Sequence, residues 1–521
     1  MSFLDPAFFL VFLPLTLATF YMTGQWGGPR RAAAVFGAIS ILFCAPFGWR
    51  SLALTLASAL VNGLFCAALI DRGRRGEQRQ TLYRTGVAIN LLVLGLFKYV
   101  PEFTAIPAAR AVAPALLRWV PITISFYTFQ RLVLLSDVYR RDPAAMAMLG
   151  AGEGGRRRFL AFAMGFPNLV IGPIAFASEV GPQLLAKRFG RVRLIDLEVG
   201  LTLFVIGLFK KLIIADRLGA DIVDPTFARL ANGHPPVGPD VCLAIFAYYA
   251  QLYFDFSGYS DMALGIARMF GLRLPINFNS PLRATGIVDF YRRWHITLTR
   301  IVSRFLFQAL SLRGARVAKR RRWKNSGKRK LVELWAPLAI NFLVIGVWHG
   351  ASWNFVVFGL IHGAWYIIET EARAAKALAV WRRRLPERLR RAIGQAITIV
   401  PLALTFSLFR SDSMEQFGVL LLAATRHWTT FLSVDLQHVV KGRELAELAG
   451  AFAIIWLLPN AMELLSRYRP GIVTFVAPSH TPRPLGFRWR PNLVWGVFVA
   501  GLAAWVIVAR GAPAPFVYGG F

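Results

Sequence analysis

The chain has 521 residues, of which 56% are hydrophobic and only 17% are charged. Soluble domains average about 25% charged residues and do not sustain long apolar runs. The composition therefore excludes a soluble multidomain protein, a disordered chain and a fibrous repeat, and it predicts an all-α protein that crosses a membrane many times.

Sixty Lys and Arg residues against 27 Asp and Glu residues give a formal net charge of +33. The basic residues cluster between apolar segments, as the positive-inside rule predicts for cytoplasmic loops, so no nucleic-acid partner is expected. Anionic lipid or a phosphate-rich ligand at the same loops is the alternative explanation. Three scattered cysteines without a CxxC pair predict neither a disulfide framework nor a structural zinc site.

A span needs about 20 largely apolar residues. The candidate spans, from which we expect about 11–12 crossings, are 7–22, 32–48, 51–70, 86–100, 111–135, 197–215, 241–262, 334–348, 353–370, 392–409, 449–465 and 492–510. The stretches 159–178 and 296–312 are apolar but have basic residues on both sides. They are predicted to be re-entrant or interfacial helices.

Two strongly basic loops, 313–330 and 373–391, bracket residues 334–370. As one helix these 37 residues would be about 55 Å long, well beyond the roughly 30 Å hydrocarbon core. The segment must therefore turn back, and the small and polar run from His349 to Asn354 is the expected place.

His349 is the first candidate catalytic residue, because a neutral imidazole at membrane depth is an effective general base for a hydroxyl or thiol. Gly346 and Gly350 are expected to leave room for a ligand, and Trp348 and Trp353 to wall a pocket. The alternative is a histidine that is hydrogen-bonded to a neighbouring helix.

His295 and His362 have two interpretations each. His295 follows Arg292, Arg293 and Trp294, so it either lines the site or, as this residue alone favours, anchors the chain at the interface. His362 either faces the same cavity as His349 or, as favoured, is hydrogen-bonded within the helix bundle.

The stretch Gln251–Met262 places carboxylates and hydroxyls directly after an apolar run. Its members Asp255, Ser257, Tyr259 and Asp261 are candidates for a proton or ion path. Structural pairing of the carboxylates with Arg268, Arg283 or Arg292 is the favoured alternative. Because no GxSxG, HExxH or Walker motif occurs in the right context, a serine hydrolase, a metalloprotease and a nucleotide-driven pump are not supported.

Several blocks of the sequence resemble the membrane-bound O-acyltransferase (MBOAT) superfamily, in particular its bacterial alginate O-acetyltransferase branch. The blocks are Ile124–Gln130, Asp137–Tyr139, Phe166–Ile174, Gln251–Pro281, Asp289–Leu298, Val347–Gly350 and Pro515–Tyr518. They follow the family's order, mainly over residues 120–370, so the resemblance predicts one membrane domain over residues 1–521.

The resemblance implies a ring of membrane helices around a central tunnel, in the bacterial inner membrane and in contact with its lipids. It assigns the catalytic role to His349 and a second role to His295. The residues expected to line the tunnel are Asp255, Ser257, Tyr259, Asp261, Trp294, Asn341, Trp348 and Trp353. No bound cofactor or metal is expected, and acetyl-CoA or another acyl thioester is the expected donor. The expected partners are a periplasmic SGNH-type acetyltransferase and a polysaccharide export machinery.

One segment departs from the family pattern, because an acidic position is Arg304 and two expected tyrosines are Phe305 and Phe307. The binding of the donor, or the soluble partner, is therefore expected to differ from that of the alginate enzymes.

Two other functions remain as alternatives. One is D-alanyl or lipid acyl transfer by the same fold, and the other, less favoured, is a proton- or ion-coupled transporter.

Overall fold

The computed structural model describes residues 2–103, 121, 123–234, 236–376, 384–426, 442–474 and 486–517. Within these residues the regular structure is helical, apart from an isolated β-bridge between Pro275 and Ile472. The predicted all-α class is confirmed.

The helices of the first half are α1 (Leu13–Cys44), α2 (Trp49–Arg74), α3 (Gln80–Phe103), α4 (Ile124–Tyr139), α5 (Pro143–Met148), α6 (Glu153–Met164), α7 (Phe166–Leu169), α8 (Ala177–Leu185), α9 (Leu194–Leu208), α10 (Asp216–Leu218) and α11 (Asp224–Ala231). Those of the second half are α12 (Gly238–Met269), α13 (Ile287–Tyr291), α14 (Ile296–Val302), α15 (Gln308–Arg320), α16 (Ser326–Lys330), α17 (Ala336–His349), α18 (Trp353–Ala374), α19 (Glu387–Arg410), α20 (Met414–Thr425), α21 (Gly442–Leu457), α22 (Ala461–Leu464) and α23 (Leu493–Ala509).

Short turns of other helix types join or extend these helices. They are the π-helical segments Phe8–Phe12, Phe209–Ala215, Gly219–Val223, Ser303–Phe307 and Leu331–Trp335, and the 3₁₀ turns Ala45–Phe47, Pro281–Arg283 and Ser466–Tyr468. Through them α9 to α11 form one long rod, as do α14 with α15 and α16 with α17.

Four helices of the described residues are long and apolar enough to cross a membrane: Phe8–Phe47, Trp49–Arg74, Ser326–His349 and Glu387–Arg410. The shorter helices α20 and α23 are also apolar. The protein is thus an all-α, multi-pass membrane protein, while the count of 11–12 crossings stays a prediction.

Several predicted boundaries are wrong. The predicted spans 7–22 and 32–48 correspond to two helical stretches that meet at a break at Gly28 (φ 70°), just before Pro29, so the first stretch ends later and the second begins earlier than predicted. The stretch 159–178 is divided among α6, α7 and the start of α8, since Gly165 leaves helical geometry between α6 and α7. The stretch 296–312 lies in a rod that continues to Arg320. Part of the predicted span 111–135 falls outside the described residues, and α4 continues to Tyr139.

Helix α12 is the centre of the fold, and its residues from Ala247 to Met269 are all buried. Glycines allow α9 to lie directly against it. A Cβ atom on Gly207 would come within 2.6 Å of the Gly258 carbonyl oxygen, and one on Gly265 within 2.5 Å of the Gly200 carbonyl oxygen. Close backbone contact at small residues is the usual way in which membrane helices associate. On α12, Phe256 packs against the ring of His295, with the two ring centroids 4.8 Å apart.

Candidate active site

His349 is the last residue of α17, and Gly350 after it continues in extended backbone. The imidazole is buried, and its ring lies 4.6 Å from the Trp348 ring and 4.7 Å from the Phe409 ring, measured between centroids. Helix α18 begins at Trp353, so the chain turns back within Gly350–Ser352, as the sequence predicts.

The glycines around His349 do not leave the predicted room for a ligand. A Cβ atom on Gly346 would meet the Phe355 carbonyl oxygen at 2.2 Å, and one on Gly350 would meet the Phe355 ring at 2.5 Å. Both positions are filled by α18, so these glycines permit close helix packing instead. Trp353 is also misassigned, because 73% of it is exposed and it does not wall a pocket.

His295 stands immediately before α14 with φ 42° and ψ 51°, in the left-handed region. Non-glycine residues avoid this region because of steric strain, which persists only when the surroundings enforce it. The imidazole is 3% exposed, and neither ring nitrogen has a hydrogen-bond partner among the described residues. A strained backbone and a buried imidazole without a partner in the described part of the chain are features that concentrate at functional sites.

Asn277 holds the backbone that follows His295. The Thr297 hydroxyl donates to the Asn277 side-chain oxygen at 2.7 Å, and the Thr297 amide donates to the same oxygen at 3.3 Å. The Ile296 amide donates to the Asn277 carbonyl oxygen at 3.0 Å. Asn277 and Thr297 are both buried, so these bonds are shielded from water.

The two imidazoles line one cavity, although 54 sequence positions separate them. The cavity measures about 20 Å³, which is room for about one water molecule. Its other lining residues are Tyr291, Trp294, Leu298, Thr299, Ile345, Phe358 and Phe406. Of the predicted tunnel residues, Trp294 therefore lines this cavity. The remaining six lining residues were missed. Leu298, Ile345, Phe358 and Phe406 are apolar side chains, which carry no sequence signal that separates them from ordinary packing. Tyr291 and Thr299 carry hydroxyl groups and lie close to His295 in the sequence.

Trp348 lies between the two histidines, with its ring 4.6 Å from that of His349 and 6.3 Å from that of His295. The Lys98 ammonium is 5.2 Å from the centre of the Trp348 ring, and Lys98 is buried. The Tyr99 hydroxyl donates to the Val347 carbonyl oxygen at 2.9 Å. Lys98 was missed, although a lysine inside the predicted span 86–100 is itself a signal of a functional position.

His362 is hydrogen-bonded within the bundle, as the favoured interpretation predicts. Its Nδ1 atom is 2.7 Å from the Tyr291 hydroxyl, and its Nε2 atom is 2.8 Å from the Thr405 hydroxyl. On α18 the cavity residue Phe358 precedes His362 by one turn. This bonded trio therefore lies at one end of the histidine cavity.

A basic cleft of about 1090 Å³ lies beyond that trio. On α18 it is lined by Trp365 and Glu369, about one and two turns past His362. Its arginines are Arg283, Arg292, Arg293, Arg373, Arg388, Arg390 and Arg391, and its acids are Asp289, Glu369, Glu387 and Glu463. The cleft draws on the predicted basic loop 373–391, whereas none of its lining residues comes from loop 313–330.

The carboxylates of α12 are paired, but not with the predicted arginines. Asp255 lies 2.6 Å from the Lys211 ammonium, and Asp261 lies 2.6 Å from the Lys210 ammonium. Arg268 pairs with Asp196 instead, at 2.8 Å. The lysines were missed, although two consecutive lysines inside the predicted span 197–215 needed buried partners.

The remaining predicted tunnel residues do not line the histidine cavity. Ser257 and Tyr259 are buried on α12, and the Ser257 hydroxyl has no hydrogen-bond partner among the described residues. Asn341 lies two turns before His349 on α17 and is also buried, and its side-chain oxygen accepts no hydrogen bond within the described ranges. Tyr518 of the last sequence block lies outside the described residues.

Arg304, at the departure from the family pattern, forms an ion pair with Asp137 at 2.8 Å. Phe305 packs against a small buried cluster that contains Val133, Ile174 and Ile301. Of the residues that depart from the family pattern, Arg304 thus forms a salt bridge and Phe305 an apolar contact. Neither of them lines the histidine cavity or the basic cleft.

The sequence profile of MBOAT, the membrane-bound O-acyltransferase family, matches residues 157–409. A probable alginate O-acetylase, AlgI, of Pseudomonas syringae pv. tomato is 34% identical over 358 residues, covering 67% of this chain and 65% of that protein. The protein of the same name from Pseudomonas putida is also 34% identical, with 67% of this chain and 69% of that protein covered.

A peptidoglycan O-acetyltransferase of Helicobacter pylori is 31% identical over 366 residues, which is 66% of each chain. The matched region thus spans about two thirds of the length of each of these relatives. On the profile match and these identities, the chain belongs to the membrane-bound O-acyltransferase family.

Proposed function

We propose that the protein is an inner-membrane O-acetyltransferase that takes an acetyl group from a cytoplasmic thioester for the O-acetylation of an extracytoplasmic polysaccharide. The observation that carries the proposal is the convergence of His295 and His349 on one buried cavity in a chain of this family. The relatives named as alginate and peptidoglycan O-acetyltransferases support acetyl as the group transferred.

His349 is assigned the role of general base. It accepts the proton of the acceptor hydroxyl as that oxygen attacks the thioester carbonyl carbon. The C–O bond forms, the C–S bond breaks, and the proton passes from the imidazole to the departing thiolate. The products are an acetate ester and a free thiol. His295, whose two ring nitrogens have no hydrogen-bond partner in the part of the chain that the structure describes, is assigned the polarisation of the carbonyl or the orientation of the hydroxyl.

The basic cleft is assigned to the donor, which we propose is acetyl-CoA. Seven arginines against four acids suit the phosphates of coenzyme A, because guanidinium groups bind phosphate through paired hydrogen bonds. The trio of Tyr291, His362 and Thr405 lies between this cleft and the cavity. We propose that the part of the donor that carries the thioester passes this trio to reach the cavity of His295 and His349.

The acceptor is proposed to be a hydroxyl-bearing polymer outside the inner membrane, alginate or a related exopolysaccharide. A periplasmic SGNH-type acetyltransferase and the polymer's export machinery are the proposed partners. The paired state of Asp255 and Asp261 supports an enzyme over an ion-coupled transporter, since both carboxylates are already neutralised by lysines.

The test is the O-acetyl content of extracellular polysaccharide in a deletion strain. The strain is complemented with wild type, His349→Ala, His295→Ala or the control His234→Ala, at matched membrane levels. His234 is exposed and far in sequence from both histidines. We expect acetylation to be restored by wild type and His234→Ala only. Full restoration by His349→Ala would remove its catalytic role, and acetylation unaffected by the deletion would point to another acceptor.

A second measurement identifies the donor. Membrane vesicles are supplied with acetyl-CoA, and thiol release is compared for wild type, Arg388→Ala and the control Lys319→Ala, which is exposed outside the cleft. We expect Arg388→Ala to raise the KM for acetyl-CoA about tenfold, the usual effect of losing a hydrogen bond to a charged group. Activity with an aminoacyl carrier protein instead of acetyl-CoA would favour D-alanyl transfer.

A further inference from the structure

The cavity between His295 and His349 is small and mostly apolar. It holds about 20 Å³ of space, or about one water-sized group. Leu298, Ile345, Phe358 and Phe406 make up its apolar wall, and each of these side chains is at most 8% exposed. Because these four side chains are buried, none of them can move out into solvent to enlarge the cavity. The volume of the cavity is therefore set by the packing of the four helices that carry them.

Each histidine has one aliphatic cavity residue close to it in the sequence. Leu298, on α14, follows His295 by three positions, and Ile345 precedes His349 by four positions on α17. Ile345 and His349 share one helix face, because residues four apart are neighbours there. Both aliphatic side chains line the same cavity as the imidazoles. A group held between the imidazoles therefore meets Leu298 and Ile345 at once.

The aromatic residues close the remaining side. The Phe358 and Phe406 rings are 5.5 Å apart, and the Phe358 ring lies 3.9 Å from that of His362. His362 is in turn bonded on both nitrogens. These rings are held by the bonded trio and are poorly placed to swing aside for a longer chain.

We propose that Ile345 and Leu298 are specificity residues that limit the transferred acyl group to two carbons. With the thioester carbonyl between the two imidazoles, the acetyl methyl group occupies the space against these side chains. An added methylene has no free volume there and must displace packed side chains. The inference rests on the proposed function and deepens it, because it names the residues that select the acyl group.

The expected discrimination follows from the value of one methylene in an apolar pocket, about 10–200-fold in kcat/KM. Butyryl has two methylenes more than acetyl, so wild type is expected to prefer acetyl-CoA by at least about 100-fold. Replacing Ile345 or Leu298 with alanine removes the side-chain atoms beyond Cβ and opens space for those two methylenes.

The experiment measures kcat/KM for acetyl-CoA, propionyl-CoA and butyryl-CoA by thiol release, in membrane vesicles of the producing strain with the deletion strain as background. Wild type is compared with Ile345→Ala, Leu298→Ala and the control Val344→Ala. Val344 is the neighbour of Ile345 on α17, but it is 44% exposed on the outside of the protein.

We expect Ile345→Ala and Leu298→Ala each to lower the acetyl-to-butyryl ratio at least tenfold by raising activity with butyryl-CoA, and Val344→Ala to leave it unchanged. A gain of activity cannot come from misfolding. The inference is overturned if wild type uses butyryl-CoA as well as acetyl-CoA, or if neither variant changes the ratio. Both of those results leave acyl transfer itself standing, whereas a lack of thiol release by wild type with every donor overturns the proposed function as well.

Discussion

The Thr297 hydroxyl and the Asn277 side-chain oxygen lie 2.7 Å apart, joined by a fully buried hydrogen bond next to His295. Together with two backbone bonds to Asn277, it holds the turn in which His295 takes its left-handed conformation. Asn277 and Thr297 are therefore positioning residues for the imidazole of His295, and they do not line the cavity themselves.

Thr297→Val tests this relationship. The change keeps the shape of the side chain but removes the hydroxyl that donates to the Asn277 oxygen and accepts from the Ile174 amide, at a cost of about 1–3 kcal/mol. We expect acyl transfer to fall about 10–100-fold through kcat, with KM for the donor nearly unchanged. Thr297→Ser, which keeps the hydroxyl, is the control and should retain most of the activity. Equal kcat values for the Val and Ser variants would show that the bond does not position His295.

Backbone strain at His295 predicts an unusual order of stability. Since φ is 42°, a glycine at this position is less strained than an alanine, by about 1 kcal/mol. We expect His295→Gly to unfold at a higher temperature than His295→Ala in detergent, although both lack the imidazole and are inactive in transfer. The same comparison at His349, which has a helical backbone, should show the opposite order.

Lys211 neutralises two carboxylates, that of the buried Asp255 at 2.6 Å and that of the half-buried Asp216 at 2.7 Å. Lys211→Met leaves both without their cation, and we expect a loss of about 3–5 kcal/mol in the free energy of unfolding. Arg157→Met, which breaks an exposed ion pair with Glu153, should cost at most about 1 kcal/mol. Denaturant titration in detergent measures both. A small loss for Lys211→Met would show that the carboxylates are neutralised in another way, for instance by protons.

The glycine contact between α9 and α12 predicts sensitivity to a single methyl group. In Gly207→Ala the new Cβ meets the Gly258 carbonyl oxygen at 2.6 Å, so the helices must separate. We expect a destabilisation of about 1–3 kcal/mol. Gly95→Ala is the matched control, because nothing lies within 4 Å of its Cβ and a helical alanine is favoured. A lower unfolding temperature for Gly95→Ala than for Gly207→Ala would contradict this packing.

Much of the site was predictable from the sequence. His349 was a candidate because a titratable residue at membrane depth is costly and therefore a functional candidate. His295 by itself favoured an interfacial anchor, and the resemblance of its sequence block to a known family gave it a role in the site. The turn after His349 followed from length alone, because residues 334–370 cannot span a membrane once as a straight helix. The all-α class followed from composition, since only helices and closed barrels satisfy the backbone in lipid.

Tertiary packing decided the rest. Trp353 resembles a pocket wall in the sequence, but the start of α18 turns it outward. Asp255 and Asp261 could pair with several cations, and the packing of the π-helical segment Phe209–Ala215 against α12 selected Lys211 and Lys210. From the sequence, Gly346 could leave room either for a ligand or for a closely packed helix. In the structure α18 fills that space, so Gly346 permits helix packing.

By itself, then, the sequence determined which residues can do chemistry, because charge, hydrogen-bonding groups and hydropathy belong to each side chain. It could not determine which of them meet, because the shared cavity of His295 and His349 depends on the relative placement of α14, which His295 directly precedes, and α17. The size of their cavity was likewise decided only by the tertiary structure, since the volume between close-packed helices is a property of all the side chains that surround it.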